Sequence, residues 1–325
     1  MIEARNLTKR YGPTVAVDDL TFTLHPGTVT GFLGPNGAGK TTTMRMILGL
    51  DRPTRGTVTV NGKPYRNLAS PLHEVGALLD AKALHGGRSA RSHLRCLAAS
   101  NAIPAGRVTE VLGIVGLGGV AGRRSAGFSL GMSQRLGIAA ALLGDPGILI
   151  FDEPVNGLDP EGILWMRTMM KTLAAEGRTV LVSSHLMSEM AHTAGRLLVI
   201  GRGKLISDSS VDEFVATSSQ HSVRVHSPQA EDLARLLSES GASVNSSEPG
   251  VLQVTGIDSA AIGELAAKDG VVLHELTPVR ASLEEAFMEL TRDSVEYGAG
   301  APSASGPPGP DDVESADRTP GRTAR

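Results

Sequence analysis

The chain has 325 residues, 41% hydrophobic and 20% charged, which suits a soluble globular protein with more than one domain. Its 31 Lys and Arg against 34 Asp and Glu leave a net charge of -3, so no nucleic-acid partner is expected on electrostatic grounds. The single Cys96 excludes an internal disulfide and a cysteine metal cluster, and it fits a reducing compartment.

The opening MIEARNLTKRYG has no apolar stretch of the kind a secretory signal carries. The longest apolar runs, 136–143 and 147–151, fall far below the ~20 residues of a membrane-spanning helix. A role in transport would need another chain to form the pore.

Three textures follow one another. Residues 1–214 alternate strand-like and helix-like segments, and 219–292 read as a small second domain. From 294 to 325 the chain turns to Pro, Gly, Ser and Asp with almost no large apolar residue, the composition of a disordered tail. In the first region an apolar run at Val29–Leu33 precedes GPNGAGKT and a helix expected over 41–50. A strand is expected at 75–79, followed over about 86–145 by inserted helices that include HLRCLAAS and RVTEVLGIVGL. Apolar runs at 148–151 and 180–182 then lead into DEP and SSH. Short runs apolar on both faces suit the middle of a parallel sheet covered by helices, and such sheets gather ligands at the carboxyl ends of their strands. Here each run delivers polar, chemically capable residues at that end.

The segment Gly34, Pro35, Asn36, Gly37, Ala38, Gly39, Lys40, Thr41 fits G-x-x-x-x-G-K-[ST] between a strand and a helix. Glycines let backbone N–H groups curl around phosphate oxygens, and the helix behind adds its positive N-terminal end. Lys40 can reach the β- and γ-phosphates, Thr41 can ligate Mg²⁺, and Thr42 lies beside them. No N-K-x-D segment supports a guanine-specific reading. Asp152 at a strand end can hold Mg²⁺ through water, because hard cations prefer oxygen. Glu153 can orient or deprotonate the attacking water, and His185 can sense the γ-phosphate. Singly, an acidic pair after a strand is as well read as a cap or ion pair, and a lone histidine as structural. Ser129 caps a helix expected to run to about Leu143, whose N–H groups form an anion site.

In this order the motifs resemble those of the ABC ATPases. Phe128, Ser129, Leu130, Gly131 and Met132, with Gln134 and Arg135 just after, are similar to the signature LSGGQ and its QR. The run ending in Asp152, Glu153 and Pro154 is similar to Walker B, and Asn156 to Pro160 to the D-loop. The resemblance covers residues 1–214 and implies an α/β fold, a P-loop NTPase with a RecA-like parallel sheet core and an inserted helical subdomain. It makes His185 the switch histidine and Tyr11 the adenine-stacking aromatic. It also implies nucleotide contacts from Asp159 and, across a homodimer, from Ser129 and Gly131. By the same resemblance the substrate is ATP with Mg²⁺, the partner is a separate transmembrane permease, and the protein sits peripherally on the cytoplasmic side of the membrane.

Leu130 and Met132 depart from the commonest signature, and Asp80 stands where a metal-touching glutamine is expected. Both traits are similar to the bacitracin- and daunorubicin-type drug-export ATPases. Aspartate can ligate Mg²⁺ or accept from water but cannot donate when ionised. The alternative is a soluble ABC-type ATPase acting on ribosome or DNA. The chain has one GxxxxGKT rather than two, and too few residues between the Walker motifs for a long coiled coil. A non-hydrolysing switch is the third reading, and Glu153 with His185 speaks against it.

The second domain reads as strand 222–226, helix 230–240, strands 242–246 and 251–255, helix 259–268 and strand 271–276, a split-βαβ order. A last helix, SLEEAFMEL, places Leu283, Ala286, Phe287 and Leu290 on one stripe, a face for the ATPase domain or for a second copy. His221, His226 and His274 read as solvated strand residues.

Overall fold

Residues 1–81, 83–216, 222–279 and 282–291 are described by a computed structural model. Strand β1 (Ile2–Tyr11) pairs antiparallel with β2 (Thr14–Leu24), and β3 (Val29–Leu33) leads through the glycine loop into α1 (Lys40–Ile47). The helix stops short of the expected 50. Gly49 adopts φ 65°, the Leu50 N–H turns back to the Arg45 carbonyl, and the Gly49 N–H turns back to that of Met46. That pair of bonds satisfies the last carbonyls and ends the helix.

β4 (Arg55–Val60) completes a three-stranded antiparallel sheet in the order β2-β1-β4. A short α2 (Pro71–Glu74) precedes β5 (Val75–Leu78), and then come α3 (Ala90–Ser100), α4 (Ala105–Ile114) and α5 (Leu130–Leu142). Gly76 is required where β5 meets α5, since a Cβ there would lie 2.0 Å from the Ala141 carbonyl oxygen.

The chain continues through β6 (Ile148–Asp152), α6 (Pro160–Ala175), β7 (Thr179–Ser183), α7 (Met187–Thr193), β8 (Arg196–Gly201), β9 (Lys204–Ser210) and α8 (Val211–Ala216). Six strands form one sheet in the order β5-β6-β7-β3-β8-β9, parallel except for the antiparallel edge strand β9. The period of two divides its side chains between two cores. Leu149, Phe151, Val180, Val182, Leu197 and Val199 join α3 to α6, whereas Ile148, Ile150, Leu181, Leu198 and Ile200 join α1 and the antiparallel sheet. Each fully buried aliphatic or aromatic side chain contributes about 1.5–3 kcal/mol. Truncating Phe151 to alanine would cost about 3–5 kcal/mol. Among the described residues, no helix is long and apolar enough to cross a membrane.

The second region folds as β10 (Ser222–His226), α9 (Ala230–Glu239), β11 (Ser243–Glu248), β12 (Val251–Thr255), α10 (Ser259–Lys268) and β13 (Glu275–Val279). Its antiparallel sheet has the order β11-β12-β10-β13, the split-βαβ arrangement. The strand expected at 271–276 begins four residues later. The Val271 N–H is taken by the Ala266 carbonyl, closing α10 behind Gly270 at φ 69°, and the Val272 N–H is taken by Gln229 Oε1. His274 therefore lies on the bend before β13 rather than in it, edge-on to His226 at 5.3 Å. His221 and the tail from 294 lie outside the described residues.

Helix α11 (Leu283–Thr291) packs on α7 and α8. Leu283, Ala286 and Phe287 are buried in the core cluster that holds Met187, Met190 and Phe214. Leu290 does not share that face: it is 37% exposed, and Thr291 is buried instead. The docked stripe is thus rotated by one residue at its end.

Candidate active site

The loop between β3 and α1 is shaped by its glycines. Gly39 holds φ 104°, and a Cβ there would lie 2.4 Å from the Ala16 carbonyl oxygen. At Gly34 a Cβ would come within 2.5 Å of the Ile200 carbonyl oxygen. Larger residues would push the loop out of its cradle form. Lys40 opens α1, and its Nζ donates to the Gly34 carbonyl at 2.6 Å and to that of Pro35 at 3.1 Å. Burial lowers its pKa, and the negative charges of Glu153 and Asp152 pull it partly back.

A cleft of about 300 Å³ opens over this loop, lined by Ala16, Asn36 to Thr42, Leu79, Asp152 and Glu153. A larger polar cleft, about 570 Å³ by Asn6, Arg10 and Asp18, brings no such combination of phosphate loop, carboxylates and lysine together.

Two carboxylates meet the loop from the end of β6. Asp152 Oδ2 accepts from Thr41 Oγ1 at 2.6 Å, and its Oδ1 accepts from Ser183 Oγ at the end of β7. A hydroxyl and a carboxylate from two elements, facing a phosphate cradle, suit a magnesium ion, which takes few protein oxygens together with substrate phosphates. Glu153 follows with φ 50°, a left-handed backbone that a non-glycine residue holds only at a cost of about 1–3 kcal/mol. Its N–H donates to Ser183 Oγ at 2.9 Å, and its carbonyl accepts from Gln134 Nε2 and from the Asn156 N–H, each at 3.2 Å. Its Oε2 lies 2.7 Å from His185 Nδ1. A carboxylate beside this nitrogen accepts from it when Nδ1 carries the hydrogen, which leaves Nε2 outward.

The fold therefore brings Lys40, Thr41, Asp152, Glu153 and His185 to adjacent strand ends. Ser129 and Gly131 take no part in lining that cleft. Ser129 caps α5, its Oγ accepting from the Met132 N–H at 3.2 Å, and the next residue, Leu130, is 46% exposed. Asp159 uses its side chain as the cap of α6, accepting from the Gly162 N–H at 2.9 Å.

Tyr11 is half exposed. Its hydroxyl donates to Asp51 at 2.8 Å, and Lys9 Nζ sits 4.8 Å over one ring face. Only the opposite face of the ring is left to stack on a base. Asp80 is exposed after β5, and its carbonyl accepts from the Ala83 N–H, while Leu79 supplies the cleft lining. Sequence alone gives Ser183 no role and places Gln134 only in the QR after the signature, without its contact to Glu153. The tandem serines of SSH and the Gln of QR were the available signals, but their partners lie 30 and 19 residues away.

The ABC transporter family matches residues 17–156, and a domain family of unknown function (DUF8746) matches 221–284. An ABC transporter ATP-binding protein of Bacillus subtilis (strain 168), YhcH, is 36% identical over 301 residues, covering 91% of this chain and 97% of its own. The bacitracin transport ATP-binding protein BcrA of Bacillus licheniformis is 35% identical, covering 89% and 97%. A solved structure of an ATP-binding subunit of an ABC transporter superposes with a TM-score of 0.61 at 26% identity, over 66% of this chain and 92% of that one.

Proposed function

The chain belongs to the ATP-binding proteins of the ABC transporter family, and from that membership we propose that it works as a homodimer on the cytoplasmic face of a membrane, driving export through a separately encoded permease. It binds and hydrolyses ATP. The observation that carries the mechanism is the meeting in one cleft of the Lys40 loop, the Thr41–Asp152 contact and the Glu153–His185 pair.

Phosphoryl transfer to water depends mainly on positioning and charge. The loop N–H groups and Lys40 hold the β- and γ-phosphates, which first requires Lys40 to leave the Gly34 and Pro35 carbonyls. Thr41 and Asp152 are the residues that would hold Mg²⁺, which supplies positive charge to the phosphate oxygens. Glu153 accepts a hydrogen bond from the attacking water. His185 fixes that carboxylate through Nδ1 and leaves Nε2 to face the γ-phosphate.

Ser129 and Gly131 head a helix whose exposed N-terminus suits the nucleotide of a second subunit. Relatives matched over 89–91% of the chain are named for transport, which favours that role over work on ribosome or DNA. For the cargo we infer an antibiotic-like or lipid-like molecule, chosen by the permease.

Mixed dimers test the shared site. Ser129→Arg should block closure and Lys40→Ala should block binding, so each parent is inactive. In a mixed dimer both lesions fall in one site and the other stays intact, so hydrolysis should partly recover. No recovery, with mixed dimers shown to form and a linked dimer with one intact site shown to be active, would remove the head-to-tail arrangement.

A further inference from the structure

Glu153 is the residue asked to position water, yet its backbone is the least comfortable part of the cleft. At φ 50° a glutamate carries a conformation that neighbouring structure must enforce, and such strain persists only where the surroundings over-determine it. The surroundings are identifiable. Ser183, fully buried at the end of β7, accepts from the Glu153 N–H at 2.9 Å while its hydroxyl donates to Asp152. Gln134, 3% exposed on α5, donates to the Glu153 carbonyl at 3.2 Å. The two polar groups of one strained residue are thus gripped by side chains from two other elements.

We propose that Gln134 and Ser183 are positioning residues that hold the Glu153 backbone left-handed and so aim its carboxylate at the attacking water. This rests on the hydrolytic reading of the cleft. Without the Gln134 donor, the carbonyl keeps only the Asn156 N–H of its own turn, and the residue can relax toward a right-handed conformation. The carboxylate then swings away from His185. Gln134 lies on the helix that Ser129 caps, one and a half turns along, so movement of that helix end reaches the glutamate of the same chain.

The decisive variant is Gln134→Met, which fills the buried space and lacks the donor; Ser183→Ala is the second. For each, kcat is normalised to nucleotide-binding sites, so loss of folded protein does not register. Misplacement of a catalytic group by about 1 Å costs on the order of a hundredfold, so kcat should fall about ten- to a hundredfold. For Gln134→Met, KM and the ATP affinity measured in EDTA should stay within about twofold, because no phosphate contact is touched; for Ser183→Ala, whose hydroxyl also holds Asp152, the affinity in EDTA alone should stay so. Ser183→Thr, which keeps the hydroxyl, should recover most of the loss.

The readout that a merely structural role would not reproduce is a double-mutant comparison. In a Glu153→Gln background, adding Gln134→Met should change the single-turnover rate by less than about twofold, because the clamp acts only through the glutamate. Wild-type kcat in Gln134→Met, or a full additional loss in the Glu153→Gln background, would overturn the clamp. A wild-type chain unable to hydrolyse ATP would instead defeat the hydrolytic reading itself.

Discussion

Phe287→Ala would reveal what holds α11 on the ATPase core. Phe287 is 7% exposed and shares its cluster with Leu283, Ala286, Met187, Met190 and Phe214. Truncating a buried phenylalanine costs about 3–5 kcal/mol through lost transfer energy and the cavity left behind. At roughly 2–4 °C per kcal/mol for a domain of this size, the melting midpoint should drop by about 6–20 °C. The loss is capped, however, because a nine-residue helix can undock before the core melts. In that event the midpoint shift shrinks while protease cleavage near α11 accelerates. Met288, 62% exposed on the same helix, is the control, and Met288→Ala should stay within about 0.5 kcal/mol. Thermal melting and limited proteolysis would be run on both variants. If they match in both measurements, the docking of α11 through Phe287 is refuted.

Glu153→Gln should bind ATP with near wild-type affinity and cut steady-state turnover by about a hundredfold or more, since glutamine keeps the shape but loses the charge that orients water; turnover at the wild-type rate would take Glu153 out of the mechanism. Gly39→Ala adds a Cβ 2.4 Å from the Ala16 carbonyl oxygen at φ 104°, so ATP affinity measured by calorimetry should fall at least about tenfold. For Lys40 the sign runs as follows. Burial lowers its pKa in the free protein, and bound phosphates would raise it. Binding then takes up a proton in the window between the two values, and ATP affinity falls as pH rises through the free-protein value. Calorimetry in two buffers of different ionisation enthalpy, run across a pH series, should detect this uptake, and equal apparent enthalpies in both buffers throughout would refute it.

The phosphate loop was legible because its information is local: the glycines, Lys40 and Thr41 are contiguous, and the flanking strand and helix are short-range features. The strand runs before DEP and SSH were legible for the same reason, since burial on both faces leaves an unbroken apolar stretch. The clamp on Glu153 was not. It depends on which elements become neighbours, and the QR pattern that contains Gln134 does not say which group 19 residues away its side chain meets. The misplaced strand at 271–276 has a different cause. Val271 and Val272 look like strand residues, but their N–H groups were already committed to the α10 cap and to Gln229. Spacing alone puts Leu290 on the docked stripe, whereas the face of α11 that meets the core ends on Thr291.

The strand order has a consequence for how freely this chain can change. β6, β7 and β3 are consecutive neighbours, so Asp152 and Glu153, His185 and the glycine loop are spaced across two interstrand steps, about 10 Å. Hydrogen-bonded ladders set that spacing, and the length of chain between the strands does not enter it. The segment that holds α3 and α4, residues 90–114, can be lengthened, shortened or exchanged without moving those strand ends, whereas α5 cannot, because Gln134 on it grips Glu153. The sheet works as a ruler, and the two helices that carry none of its marks, α3 and α4, are free to be refitted.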